Sequence, residues 1–360
     1  MLEKIKYMDL FYDILKQLIR VPSVVGAEHP FFMMLKRELE ELNVNVEYYD
    51  GVLVAKGSKP ESGYISAHSD RHGLICTGHN EFQYAAFIAK NQADLTGNSN
   101  SEQLLKNFES RFINQKVQAY EPWSGSYGGL GVINDAYLCP RRNNIIFNID
   151  DFGHLPPGTP IAFLDKLNIL EDESISAQLD NVVSVALIVY MYHLGYKGTA
   201  FFTGGEEAGR SWRFLLEYFR RFDIQTKELL VLDTSPYSSI EQVKSLDIVL
   251  RNRDENAVFR SPLKNKIKNI AIKQKINYHF KDAYLKNMMQ QNGTKGSLGV
   301  TELGRIIHAT KGEINGTTLQ LPTTGYHTVE ETTTKKSVES MVKVMSKLYL
   351  SNEEEEIEAE

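Results

Sequence analysis

Beyond Asp180 the chain alternates short apolar runs with helical periods, and this alternation restricts its fold more than any other feature. Residues 181–194 read as a helix, 199–203 as a strand, 209–221 as a helix and 229–233 as a strand; a last helix covers 335–350. Apolar strands spaced by helices bury both faces when helices cover a sheet from either side, so an α/β fold is predicted. The N-terminal part carries the same signals. Leu10, Phe11, Ile14, Leu15, Leu18 and Ile19 recur at helical spacing, a second helix is expected over 31–42, and strands over 44–49, 52–55 and 64–68.

The middle of the chain differs. Between 71 and 170 Gly and Pro are frequent, as in 123–131 and 155–160, and short β-like runs at 144–149 and 161–164 lie between turns. One helical pattern, 101–112, interrupts them. The expected organisation is a mixed sheet sandwiched by helices, built from 1–70 and 171–350, with a smaller β-rich domain inserted at 71–170.

Charge and cysteine content exclude several function classes. The net charge is −6, but residues 351–360 hold six Glu and no basic residue, so the body is neutral. Such a tail reads as a solvated, disordered end. A neutral body gives no electrostatic footprint for nucleic acid. The lysines at 264, 266, 268, 273, 275 and 281 read as one solvated helical face. Two cysteines, Cys76 and Cys139, are too few for a disulfide framework and point to a reduced, cytoplasmic protein. No run reaches the ~18 apolar residues of a membrane span. The first twenty residues carry Glu3, Asp9 and Asp13 and lack a small-residue cleavage site, unlike a signal peptide.

Five segments place metal-binding side chains at strand ends or helix starts: Ala67-His68-Ser69-Asp70, Gln178-Leu179-Asp180-Asn181, Gly204-Gly205-Glu206-Glu207, Val231-Leu232-Asp233-Thr234 and Gly325-Tyr326-His327-Thr328. Sheets of this class build their sites at strand C-termini. Two His and three carboxylates brought to one edge suit a pair of divalent cations. Zinc is favoured by imidazole, and cobalt or manganese is compatible. Asp70, two residues after His68, is expected to accept the second imidazole N–H and fix its tautomer. Adjacent Glu206 and Glu207 repel each other unless a cation is near; one can bind metal while the other faces the attacking water as general base. Any one of these residues alone reads as a cap, a turn former or a solvated side chain; the set in this order does not. The other histidines, His72 and His308 among them, have no comparable partners in the sequence and read as structural.

These segments resemble the dinuclear metallopeptidases, whose catalytic domain is of the zinc-exopeptidase type. Spacing narrows the resemblance. Asp70 and Asp180 are 110 residues apart, whereas Asp233 and His327 are 94 apart. A long insertion before the bridging Asp is similar to the tetrahedral aminopeptidases, also called glutamyl or deblocking aminopeptidases. The resemblance runs from Ile19-Arg20-Val21-Pro22-Ser23 to the last helix, through Ile307-His308 and Leu321-Pro322-Thr323. It implies that His68 and Asp233 hold one metal, Glu207 and His327 the other, that Asp180 bridges them, that Glu206 is the base, and that Asp70 orients His68. It also implies release of N-terminal residues from peptides with a free N-terminus, and an inserted domain that drives homo-oligomer assembly, often a dodecamer.

Two stretches depart from the family pattern. Val300-Thr301-Glu302-Leu303 stands where Gly-Thr-Asp-Ala is usual, and Gly204-Gly205 where Val-Gln is usual. Both are expected to affect substrate choice more than metal binding. Two other readings use the same residues. A deacylase of N-acyl amino acids keeps the metals, but that branch carries its extra domain between the later Asp and the last His. A catalytically silent metal-binding assembly protein has no use for Glu206 beside a ligand.

Overall fold

A computed structural model describes residues 2–86, 101–139, 144–293 and 297–350. The acidic tail expected at 351–360 lies outside the described residues.

An eight-stranded mixed sheet forms the centre. Its spatial order is Asn45–Tyr49, Val52–Lys56, Thr199–Thr203, Tyr64–His68, Leu229–Pro236, Gly316–Thr323, Ile248–Leu250 and Tyr278–Phe280. The four strands from Thr199–Thr203 to Gly316–Thr323 run parallel to one another. Parallel strands are buried on both faces, and the pleat sends alternate residues to opposite cores. Leu230 and Leu232 accordingly join the core formed with the helices Leu2–Arg20, His29–Glu41, Val182–His193, Pro262–Lys273 and Lys335–Tyr349. Their neighbours Leu229 and Val231 join the core formed with Ser211–Arg221 and Glu302–Ala309.

Val182–His193 is apolar all round and buried from Val182 to Tyr192. A helix with no polar stripe must be covered on every side. It lies against Leu2–Arg20, Lys335–Tyr349 and the sheet. Its N-terminal end thereby fixes the height of Asp180 over the sheet edge.

Six strands from Gly73–Gly78 to Pro160–Phe163 close into a barrel. Its interior is filled by Leu74, Phe82, Val117, Ile133, Phe147 and Ile161, and Phe108 and Phe112 of the helix Ser101–Phe112 pack with them. Closure removes the exposed edges that short strands otherwise leave. The inserted β-rich domain predicted from the sequence is this barrel. Arg71 anchors the crossing into it: its buried guanidinium donates to Ser23 Oγ at 2.9 Å, to the Ile19 carbonyl at 3.1 Å and to the Val21 carbonyl. A third, three-stranded sheet joins Asn168–Ile169, Ser174–Ala177 and Glu331–Thr334. No helix among the described residues is long and apolar enough to cross a membrane.

Candidate metal centre

The parallel strands end on one edge of the sheet, and the donors gather there. His68 closes its strand and is paired in register with Thr203, after which the chain turns into Glu206-Glu207. Asp233 is the fifth of the eight residues of the neighbouring strand Leu229–Pro236, which runs three residues past it. Asp180 sits between the strand Ser174–Ala177 and the buried helix, where the Asp180–Asn181 peptide is cis. His327 occupies the turn before Glu331–Thr334, in a left-handed backbone conformation with φ 60°.

Two clusters result. In the first, His68 Nε2 lies 3.2 Å from Asp180 Oδ1 and 3.7 Å from Asp233 Oδ1. In the second, Glu207 Oε2 lies 3.7 Å from His327 Nε2, and Glu207 Oε1 lies 2.9 Å from His72 Nε2. Within each cluster the donor atoms all lie within 4.8 Å of one another. Asp180 faces both, since its Oδ2 is 3.9 Å from His327 Nε2. Glu206 belongs to neither group. Asp180 Oδ1, Glu207 Oε1 and His72 Nε2 are buried without a hydrogen-bond partner. Buried polar atoms are almost always satisfied; here Asp180 Oδ1 lies unpartnered in the first cluster and Glu207 Oε1 and His72 Nε2 in the second, as sites for cations would leave them. The nitrogen and oxygen donor set fits zinc and its neighbours.

Backbone contacts hold the clusters in place. The Asp70 carboxylate accepts the Glu206 N–H at 2.9 Å and the Glu207 N–H at 3.0 Å, which fixes the turn carrying the pair. His68 Nδ1 meets the Asp70 main-chain carbonyl at 3.2 Å and its carboxylate only at 3.6 Å, so Asp70 touches the imidazole chiefly through its backbone. Glu331, not singled out from the sequence, accepts the Asp180 N–H and the His327 N–H, each at 2.7 Å. It clamps one residue of each cluster. Gln320 donates to Asp233 Oδ2 at 3.4 Å and accepts from Arg251 at 2.8 Å.

The concentration of acids shifts the titrations. Burial pushes Glu206 and Glu207 well above the usual carboxylate range, with neighbouring carboxylates adding to it and His68 opposing. Burial and Asp180 do the same to Glu331. Burial alone would lower His68, but the carboxylates of Asp180, Asp233 and Asp70 around it raise it well above its ordinary 6.5. His72 and His327 lack that support. Burial lowers His72 to about 4 and His327 well below its ordinary value, so both rings are neutral and suited to ligation.

The two departures from the family pattern have distinct places. Glu302 is buried and accepts from Ser66 Oγ at 2.8 Å and Thr203 Oγ1 at 2.9 Å, while Leu303 packs in the core beneath. Both tie the helix Glu302–Ala309 to the strand ends. Gly205 has φ +72°, a conformation that favours glycine, and a Cβ on Gly204 would stand 3.1 Å from the Glu28 carboxyl group. The two glycines border a cavity of about 330 Å³ lined also by Glu28, Tyr48, Trp123, Arg210 and Phe214. Arg305 donates to the Gly209 carbonyl and so closes the same turn.

Glu28 accepts from Gly26 N–H at 2.9 Å and Gly205 N–H at 3.0 Å, and burial followed by the Asp70 charge moves its pKa from the ordinary 4.5 up to about 8. The native state therefore binds this proton more tightly than the unfolded chain. The resulting stabilisation is complete below pH 4.5 and is lost as pH rises through about 8. Glu28→Gln keeps an acceptor oxygen and cannot ionise, so it gains stability on the wild type between those values and plateaus above them. Urea midpoints of both proteins at several pH values, with equal metal content, measure this; parallel profiles contradict it.

His72, which reads as structural in the sequence, joins Glu331 as a site residue that the sequence did not single out. Four positions after His68, it has no strand end or helix start of its own to flag it. Among the remaining residues, His68, Asp180 and Asp233 converge on one cluster and Glu207 and His327 on the other, with Asp70 and Glu206 adjoining.

A barrel inserted into a helix-covered mixed sheet is an architecture shared with solved peptidases. A TET aminopeptidase from a marine sediment Thaumarchaeota archaeon superimposes with a TM-score of 0.70 at 16% identity, covering 98% of this chain and 99% of that one. An aminopeptidase from Desulfurococcus kamchatkensis gives 0.67 at 16% identity, covering 95% and 94%. The TET1 peptidase of Pyrococcus horikoshii gives 0.65 at 19% identity, covering 94% and 99%. No curated protein sequence matches the chain. The fold is thus the one these peptidases share. The M42 glutamyl aminopeptidase profile matches residues 150–344, more than half of the chain, and the protein belongs to that family.

Proposed function

We propose that the protein is a dinuclear metal-dependent aminopeptidase that hydrolyses N-terminal residues from peptides. The observation that carries this reading is the pair of donor clusters sharing Asp180, with one carboxylate of the Glu pair inside a cluster and the other outside it. Two divalent ions there, zinc in the first place, supply an acidified water and a polarised substrate carbonyl.

The chain's own residues do the rest. His68 and Asp233 hold one position, Glu207 and His327 the other, and Asp180 spans both. Glu206 takes the proton from the attacking water and delivers it to the leaving amine. Asp70 positions Glu206 and Glu207 through their N–H groups. The surplus of carboxylates attracts the free ammonium group of a peptide N-terminus.

Residues 71–170 serve assembly into a homo-oligomer. Trp123, Tyr127, Leu130 and Tyr137 of this domain are exposed at 69%, 65%, 47% and 43%, large apolar side chains that a neighbouring subunit would cover. The Pyrococcus horikoshii relative can assemble into a tetrahedron or a large octahedral shell. The free thiols Cys76 and Cys139 suit the cytoplasm.

Elemental analysis and a peptide-library digest on one preparation test the function. Two equivalents of metal with loss of N-terminal residues, abolished by a chelator and restored by zinc, cobalt or manganese, is the expected result. Cleavage confined to N-acyl amino acids selects the deacylase, and bound metal without turnover selects a silent protein. Light scattering of the same sample reads the assembly; a monomer contradicts the role given to 71–170.

A further inference from the structure

We propose that His72 is itself a metal ligand, so that the second position is held by His72, Glu207 and His327 together with Asp180. This rests on the dinuclear reading above and adds a donor to it.

Three observations point to it. The first is placement: His72 Nε2 is 2.9 Å from Glu207 Oε1, and the His72 and His327 ring centres are 3.7 Å apart. The second is the state of those atoms. His72 Nε2 and Glu207 Oε1 are both buried and both lack a hydrogen-bond partner despite their short separation, because their alignment does not make a hydrogen bond. A cation between a ring nitrogen and a carboxylate oxygen satisfies both lone pairs. The third is the other side of the ring. His72 Nδ1 contacts the Tyr84 hydroxyl, the ring stacks on Tyr84 at 5.6 Å between centres, and Gln178 donates to the His72 carbonyl at 3.0 Å. When Nδ1–H donates to the phenol oxygen, the lone pair is left on Nε2, the tautomer a ligand needs, and the stack fixes the ring plane.

The added donor makes the two positions unequal. With His72 the second position would have four protein donors to offer an ion, the number structural zinc sites use, and the first only His68, Asp180 and Asp233. The second position therefore holds its ion more tightly and exchanges it more slowly. The inserted domain takes part directly, since Tyr84 belongs to a barrel strand.

Metal binding to the full-length protein tests this without an activity readout. X-ray absorption at the zinc edge is expected to count three imidazoles per two ions in the wild type and two in His72→Ala. Competition titration with a chromophoric chelator is expected to show the tighter ion weakened at least ~10-fold in His72→Ala. A smaller loss is expected in Tyr84→Phe, which keeps the ring and removes only its hydroxyl partner. Two imidazoles in the wild type, or equal affinities in wild type and His72→Ala, overturn the assignment of His72 while leaving the dinuclear reading intact. Failure of the wild type to bind two ions overturns that reading instead. If His72→Ala does not fold, the wild-type imidazole count decides alone.

Discussion

Glu206→Gln is expected to retain both metal ions and lose at least ~10²-fold in kcat, the lower end of what general base catalysis contributes. Such a loss corresponds to about 2.7 kcal/mol of transition-state stabilisation. The substitution keeps size and polarity but removes the group that accepts the proton. Two features separate Glu206 from its neighbour. Glu207 shares a cluster with His72 and His327, and Glu206 shares none. The main-chain N–H of each is pinned by one oxygen of Asp70, so the turn survives a change in the Glu206 side chain. Steady-state kinetics on an aminoacyl-anilide and elemental analysis of the same variant measure the two halves of the statement. A kcat within tenfold of wild type removes Glu206 from the role of base.

Asp180→Asn is expected to lower metal affinity by more than ~10²-fold and to leave no measurable turnover at stoichiometric metal. Altering a residue that merely supports a ligand already costs 10–100-fold in favourable cases. Asp180 is placed to offer one oxygen to each cluster, at 3.2 Å from His68 and 3.9 Å from His327. The amide removes a charge from both positions and puts a donor group where an acceptor is required. The fold is expected to persist, because the bond from the Asp180 main-chain N–H to Glu331 does not involve the altered side chain. Titration with zinc followed by circular dichroism separates the effects. Two ions bound at wild-type affinity contradict a bridging Asp180.

The elements that could be read from the sequence are those whose periodicity is strong. Tyr64–His68 and Thr199–Thr203 coincide with their predicted strands, and Val182–His193 differs from its predicted helix by a residue at each end. The strand Gly316–Thr323 was not legible. It is buried along its whole length, yet it reads Gly-Thr-Thr-Leu-Gln-Leu-Pro-Thr, polar at half its positions. Its place beside Leu229–Pro236 comes from hydrogen bonding across the sheet, and its Gln320 spends its polarity on Asp233, Thr234 and Arg251. The short strands Ile248–Leu250 and Tyr278–Phe280 escape for a related reason, since three residues carry no period.

The chemical character of the site was written in residue types and their order. His68, Asp180, the Glu pair, Asp233 and His327 each follow or precede an apolar element, and that is a local property a sequence can express. The local sequence therefore determined an α/β frame, an inserted β-rich domain and a set of nitrogen and oxygen donors facing one sheet edge. Distance is not local. Which oxygen of Asp180 meets which histidine, how Asp70 divides its carboxylate between two N–H groups, and that Glu331 and His72 enter the site were decided by tertiary packing. His72 shows the reason most plainly. Its ring is set by a tyrosine from the barrel and its main-chain carbonyl by a glutamine from beyond it, and only the closed fold brings those three segments to one point.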